Sequence, residues 1–169
     1  MYGVLDVETT GFDADQHGVV SIAIVHFNEK YEEQSHLYYE VRPYGYVWTE
    51  GAYKVHGISM DHLDQYGEDR YQVQRSVRGF IQRKGIGKLY AHYADFDKAF
   101  FNAFMSPDVP DVDFGCTMKL AKDKYICHSF KLSVLCRELR IDQEVTHNSL
   151  DDARAALKLL KKIRPHNVA

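Results

Sequence analysis

Apolar residues recur at strand spacing in the first 41 positions and at helical spacing after position 70. Residues 4–7, Val4-Leu5-Asp6-Val7, form a short apolar run that breaks at the turn residues Thr10-Gly11. Val19–Phe27 is dense in Val and Ile, the composition of a strand covered on both faces. Residues 31–41 alternate more loosely and predict an antiparallel partner for it across the Asn28-Glu29-Lys30 turn. Residues 42–67, punctuated by Pro43, Gly45, Gly51 and Gly57, show no period and read as irregular chain.

From Tyr71 the period changes. Val73, Val77, Phe80 and Ile81 fall at i, i+4, i+7 and i+8 and predict a helix that Gly85-Ile86-Gly87 stops. Residues 88–91 then predict a short strand, and Phe96, Ala99, Phe100 and Ala103 a second helix ending before Pro107. Residues 112–114 make a brief strand. Leu132, Leu135, Cys136 and Leu139 form one further helical stripe, and Ala153, Ala156, Leu157, Leu160 and Ile163 another, with Ser129 and Ser149 placed as N-caps. Three strands followed by helix, strand, helix, strand and helices predict an α/β layered fold around a mixed β-sheet. With no repeat or linker, residues 1–169 are expected to be a single domain.

Composition agrees with that expectation. The chain has 169 residues, 45% hydrophobic and 27% charged, enough apolar material for one core. No apolar run approaches the roughly 20 residues that span a bilayer, and no basic leader with a cleavage site opens the chain. Three cysteines, Cys116, Cys127 and Cys136, in no CxxC pair argue for a reducing compartment, so a cytoplasmic location without a membrane partner is expected. The formal charge of −3 hides an asymmetry: residues 1–114 carry 10 basic and 18 acidic side chains, residues 115–169 carry 11 and 6. A uniformly basic nucleic-acid binder is excluded, whereas an enzyme that gathers carboxylates around cations is not.

Candidate chemistry lies in three places. Asp6 and Glu8 are alternate residues of the first strand and share a face. Asp95 and Asp97 stand where the strand at 88–91 gives way to a helix, Asp95 placed as an N-cap and Asp97 as a functional carboxylate. His147 precedes Asp152 at the start of the last helix. Each pattern alone is commonplace. Together, four carboxylates without clustered thiols suit hard divalent ions such as Mg²⁺ or Mn²⁺. Two such ions stabilise the attacking and leaving oxygens of a phosphoryl displacement, and His147 can accept a proton from the attacking water.

These residues resemble the DnaQ-like 3′–5′ exonucleases of the DEDDh type, which carry four acids and a catalytic histidine. Asp6-Val7-Glu8-Thr9-Thr10-Gly11 is similar to the first family motif. Ala91-His92-Tyr93-Ala94-Asp95-Phe96-Asp97 is similar to the second, aligning Asp97 with the family aspartate. His147-Asn148-Ser149-Leu150-Asp151-Asp152-Ala153 is similar to the third. Val55-His56-Gly57-Ile58, Cys116-Thr117-Met118-Lys119-Leu120-Ala121, and Phe130-Lys131-Leu132 ahead of Leu135-Cys136 follow as further landmarks. Cys136, where many members carry Asp, is nearest to the exonuclease X branch. Tyr93 departs from the asparagine common at its position.

The resemblance implies a ribonuclease H-like mixed sheet flanked by helices, and hydrolysis of terminal phosphodiesters at single-stranded or frayed DNA 3′ ends with two divalent cations, Mg²⁺ or Mn²⁺. It implies Asp6, Glu8, Asp97 and Asp152 as metal ligands and His147 as general base. It further implies Thr9, Thr10, Gly11, Phe12 and His56 as contacts to the terminal nucleotide. The expected partner is nucleic acid with a free 3′ end, DNA favoured over RNA; a homodimer is compatible. A chain stopping at Ala169 is expected to be free-standing rather than a polymerase subunit. The alternatives are a 3′–5′ exoribonuclease, a catalytically silent nucleic-acid-binding module, and a phosphatase using the same carboxylates.

Overall fold

The computed structural model describes residues 1–163. Five strands and seven helices follow the order β1 (Tyr2–Thr9), β2 (Val19–Phe27), β3 (Glu33–Glu40), α1 (Glu50–His56), α2 (Met60–Tyr66), α3 (Arg70–Lys84), β4 (Lys88–Ala91), α4 (Ala94–Met105), β5 (Asp113–Cys116), α5 (Thr117–Lys124), α6 (Leu132–Glu138) and α7 (Ser149–Ile163). One mixed sheet carries the order β3-β2-β1-β4-β5. The first three strands are antiparallel, whereas β1 with β4 and β4 with β5 run parallel.

All nine residues of β2 are buried because both sheet faces are covered. On one face Leu5, Val7, Ile22 and Ile24 pack with Val73, Val77 and Phe80 of α3 and with Phe100, Phe101 and Phe104 of α4. On the other, Val4, Ala23, Val25 and Phe27 pack with α6 and with Ala153, Ala156, Leu157, Leu160 and Ile163 of α7. The stripes read from the sequence for α3, α6 and α7 are therefore core faces, whereas α4 buries Phe100, Phe101, Phe104 and Met105 and leaves Ala99, expected in its stripe, exposed. Burial of this kind contributes about 25 cal/mol per Å² of apolar surface.

Residues 42–67 differ from the expectation of irregular chain: they contain α1 and α2. Thr49 and Ser59 cap them, each side-chain oxygen accepting a backbone N–H, from Ala52 at 3.3 Å and His62 at 3.1 Å. Gly57 ends α1 in the left-handed region, at φ 71°. Each helix buries one residue, Ala52 or Leu63, so neither shows an apolar stripe.

Three expected caps are also corrected. Asn148 caps α7, accepting from the N–H groups of Leu150 and Asp151, while Ser149 is already helical. Lys131 occupies the N-cap of α6. α4 begins after Tyr93 without any side-chain cap; Asp95 lies in the first turn and pairs with Lys119 at 3.0 Å. All three cysteines are free thiols. Among the described residues no helix is long and apolar enough to cross a membrane.

Candidate active site

Asp6 and Glu8 continue the row of Tyr2 and Val4 on the sheet face that α7 covers. Val4 lies beside Tyr90 in the parallel β1–β4 pair, so both strands end at the same sheet edge. The chain leaving β4 therefore enters α4 next to the two acids. Asp97, in the first turn of α4, is buried and accepts a hydrogen bond from the backbone N–H of Val7. α7 brings Asp152, only 6% exposed, whose Oδ1 accepts from the Thr146 N–H at 3.0 Å. His147, in the left-handed region at φ 56°, is exposed.

One ligand atom each from Glu8, His147 and Asp152 lie within 4.8 Å of one another. Asp6, Glu8, Asp97, His147 and Asp152 line one cleft of about 410 Å³. Tyr93, Phe96, Met118, Lys131 and Val145 are among its other walls. The rings of Tyr93 and Phe96 stack there at 6.4 Å and 15°.

Electrostatics sets this cleft apart. Burial pushes the Asp6 carboxyl well above its ordinary value, and the charges of Asp97, Glu8 and Asp152 push it further. Burial, then Asp152 and Asp97, raise Glu8 to about 8. Burial raises Asp97 to about 7, although the Val7 N–H opposes it. Asp152 is raised by burial against the pull of Thr146 and His147. Four converging carboxylates that resist ionisation lack a counter-charge, and an oxygen-rich donor set with one imidazole and no thiol fits a hard divalent cation.

Of the residues expected to meet the terminal nucleotide, Thr9 ends β1, Thr10, Gly11 and Phe12 follow it and His56 ends α1, all outside the walls of the cleft. Thr9 Oγ1 donates to the Gly11 carbonyl at 2.6 Å. Thr10 is fully buried, its hydroxyl donating to the Val47 carbonyl and accepting from the Gly18 N–H. Both hydroxyls are thus engaged in the fabric of the loop. A Cβ at Gly11 would stand 2.1 Å from the His17 ring, so a larger residue there requires that ring to shift. Phe12 is 77% exposed and is no core residue. His56 is half-buried and meets Trp48 edge-on at 6.0 Å. Its Nδ1 accepts from the Ile58 N–H at 3.0 Å. Burial first, and then the charge of His147, lower its proton affinity, while the Thr9 backbone raises it.

Tyr38 is a neighbour of the site that periodicity does not reveal. Asp6, Ala23 and Tyr38 stand in one row across β1, β2 and β3. The Tyr38 hydroxyl donates to Glu40 at 3.0 Å and accepts from Asn148, the residue after His147, at 3.3 Å. Burial and Glu40 push it up to about 12. Counting strand register from Asp6 is the signal that finds it.

A mixed sheet with an acidic cleft at the ends of parallel strands is the frame of a ribonuclease H-like hydrolase. Residues 4–160 match the RNase T exonuclease family, and the chain belongs to that family. The family is divalent-metal dependent. A PolC-type DNA polymerase III of Lactococcus lactis is 30% identical over 168 residues, 94% of this chain. The chain spans about a tenth of that relative's length.

Among solved structures, exonuclease X in complex with 5′-overhanging duplex DNA superimposes with a TM-score of 0.73 at 23% identity, covering 96% of this chain and 90% of that one. E. coli exonuclease I in complex with a dT13 oligonucleotide gives 0.78 at 16% identity, covering 98% and 42%. A 3′-exonuclease that recognises the 3′ end of a histone mRNA stem-loop gives 0.77 at 18% identity, covering 95% and 62%. These likenesses establish the ribonuclease H-like fold.

Proposed function

We propose that this chain, acting as one domain, removes nucleotides from the 3′ end of single-stranded or frayed DNA and releases nucleoside monophosphates. The observation that carries the reading is the convergence of Asp6, Glu8, Asp97 and Asp152 with His147 in one cleft of an exonuclease-family chain. Two Mg²⁺ or Mn²⁺ ions held by the four carboxylates would supply positive charge to the attacking and leaving oxygens.

The remaining roles belong to the chain. His147 takes a proton from water as its oxygen bonds to the terminal phosphorus and the bond to the preceding 3′ oxygen breaks. Its exposure lets it pass that proton to solvent. Asn148, capping α7 and tied to Tyr38, fixes the backbone next to His147. The Thr9–Gly11 loop, its hydroxyls engaged internally, offers a rigid backbone to the terminal sugar, and exposed Phe12 offers a face on which any base can stack.

The test is a 5′-labelled oligonucleotide with Mg²⁺ or Mn²⁺, resolved by size. A stepwise ladder abolished by EDTA is expected, and a 3′-phosphate should block it. Cutting of a circular single strand overturns the exonuclease reading. Faster shortening of an RNA of the same sequence overturns the preference for DNA.

A further inference from the structure

A second cavity is separate from the carboxylate cleft. It is an open groove of about 890 Å³ over the outer edge of β3, walled by α3 and closed at one end by Leu150 of α7. α3 is chemically unusual in its half of the chain. Residues 1–114 carry an acidic excess, yet α3 holds Arg70, Arg75, Arg78, Arg83 and Lys84 and no acid.

The arginines divide by what they touch. Arg70 donates to the Tyr46 hydroxyl and to the carbonyls of Ala103 and Phe104, and is structural. Arg78 faces Asp108 at 3.8 Å. Arg75 and Arg83 line the groove, are exposed, and have neither a hydrogen bond nor a carboxylate partner among the described residues. Exposed Gln72 and half-buried Ser76 add neutral donors to the same wall. From Gln72 to Arg83 this wall is about 16 Å long at 1.5 Å per residue.

The groove adjoins the cleft. Tyr38 lines it and stands in the row of Asp6, about 10 Å away at two strand spacings. Leu150 stands two residues before Asp152. A strand whose end lies in the cleft can pass over the first turn of α7 and reach α3.

We infer that this groove is a second nucleic-acid site, in which Arg75 and Arg83 hold phosphates of the substrate strand on the 5′ side of the nucleotide being removed. The inference rests on the nuclease reading above. Two unpaired guanidiniums on a helix without acids complement a phosphodiester backbone, and half-exposed Tyr39 on the opposite wall gives a base a ring to stack on. Contacts of this kind read charge and not sequence.

The experiment is fluorescence anisotropy of labelled single-stranded DNA, a 4-mer and a 20-mer, across a salt series in EDTA. The wild-type chain is expected to bind the 20-mer more tightly, and Arg75→Glu/Arg83→Glu should lose about tenfold on the 20-mer while binding the 4-mer unchanged. The logarithmic salt slope for the 20-mer should fall by about 1.4, two phosphates at about 0.7 each. Gln72→Lys adds a charge to the same wall and should steepen the slope by about 0.7, which keeps the test decisive should the double variant not fold. Equal affinity of wild type for both lengths, or an unaltered slope in either variant, overturns the groove. Failure of the wild-type chain to shorten the 4-mer with Mn²⁺ overturns the nuclease reading instead, and the two failures are read in separate assays.

Discussion

Ser21 of β2 and Ser149 of α7, 128 residues apart in the chain, share a buried hydrogen bond of 2.9 Å. Ser21 is also the cross-strand partner of Glu8. This one contact therefore joins the strand position beside Glu8 to the helical turn that carries Asp152.

Ser149→Ala should destabilise the protein by about 1–3 kcal/mol, because it leaves the Ser21 hydroxyl buried without a partner. Ser21→Ala/Ser149→Ala should cost less than the sum of the single changes. Chemical denaturation in a double-mutant cycle measures both. Mn²⁺ titration of the single variant should also show weaker binding, since Glu8 and Asp152 would no longer be held together.

The raised carboxylates make the metal-free protein sensitive to pH. Glu8 keeps its proton to about 8 in the folded state, whereas the unfolded chain releases it near 4.5. Between those values the unfolded state binds fewer protons, so stability falls as pH rises and levels off above about 8. Glu8→Gln should therefore melt above wild type in EDTA, by a margin that widens from pH 5 to pH 8. Saturating wild type with Mn²⁺ at about 100 times its Kd should add about 2.7 kcal/mol. Differential scanning calorimetry reads all three, and a margin independent of pH would show that Glu8 is ionised in the folded protein.

Asp97 and Asp95 should behave oppositely. Asp97→Ala removes a buried acid of the cleft and is expected to abolish nucleotide release. Asp95→Ala removes an exposed, solvent-screened pair with Lys119 and should leave stability nearly unchanged while activity persists. Reversal of the two activities in the ladder assay would shift the register of the second motif.

His147→Ala should slow turnover about 10²–10⁴-fold, the usual contribution of a positioned general base. Mn²⁺ affinity measured by calorimetry should largely survive. A loss of affinity as deep as that of Asp152→Ala would make His147 a ligand, a role its position within 4.8 Å of Glu8 and Asp152 also allows.

What the sequence discloses follows the physics of each element. β2, α3 and α7 bury long apolar runs or stripes, so periodicity reports them. α1 and α2 bury only Ala52 and Leu63, so their caps, Thr49 and Ser59 at the starts and Gly57 at the end of α1, are what the sequence offers locally. The shared face of Asp6 and Glu8 follows from strand alternation alone. The convergence of Asp97 and Asp152 on them required motif spacing, because it depends on two crossovers that no local pattern encodes. Val145 reaches the cleft through tertiary packing and has no sequence signature; Met118 lies in a family landmark that does not single it out, and Tyr38 shows only by counting strand register from Asp6. Asp95 was misread as a cap because α4 starts after Tyr93, held at φ 117°, with no side-chain cap at all.

The cleft draws its acids from positions 6, 8, 97 and 152, the last of them on the final helix described. During synthesis Asp6 and Glu8 emerge long before Asp97, and Asp97 long before His147 and Asp152. A nascent chain that stops short of α7 lacks Asp152, and with it the carboxylate that holds the Thr146 N–H beside His147. The hydrolytic centre is therefore unfinished until α7 has left the ribosome, however much of the sheet has already formed.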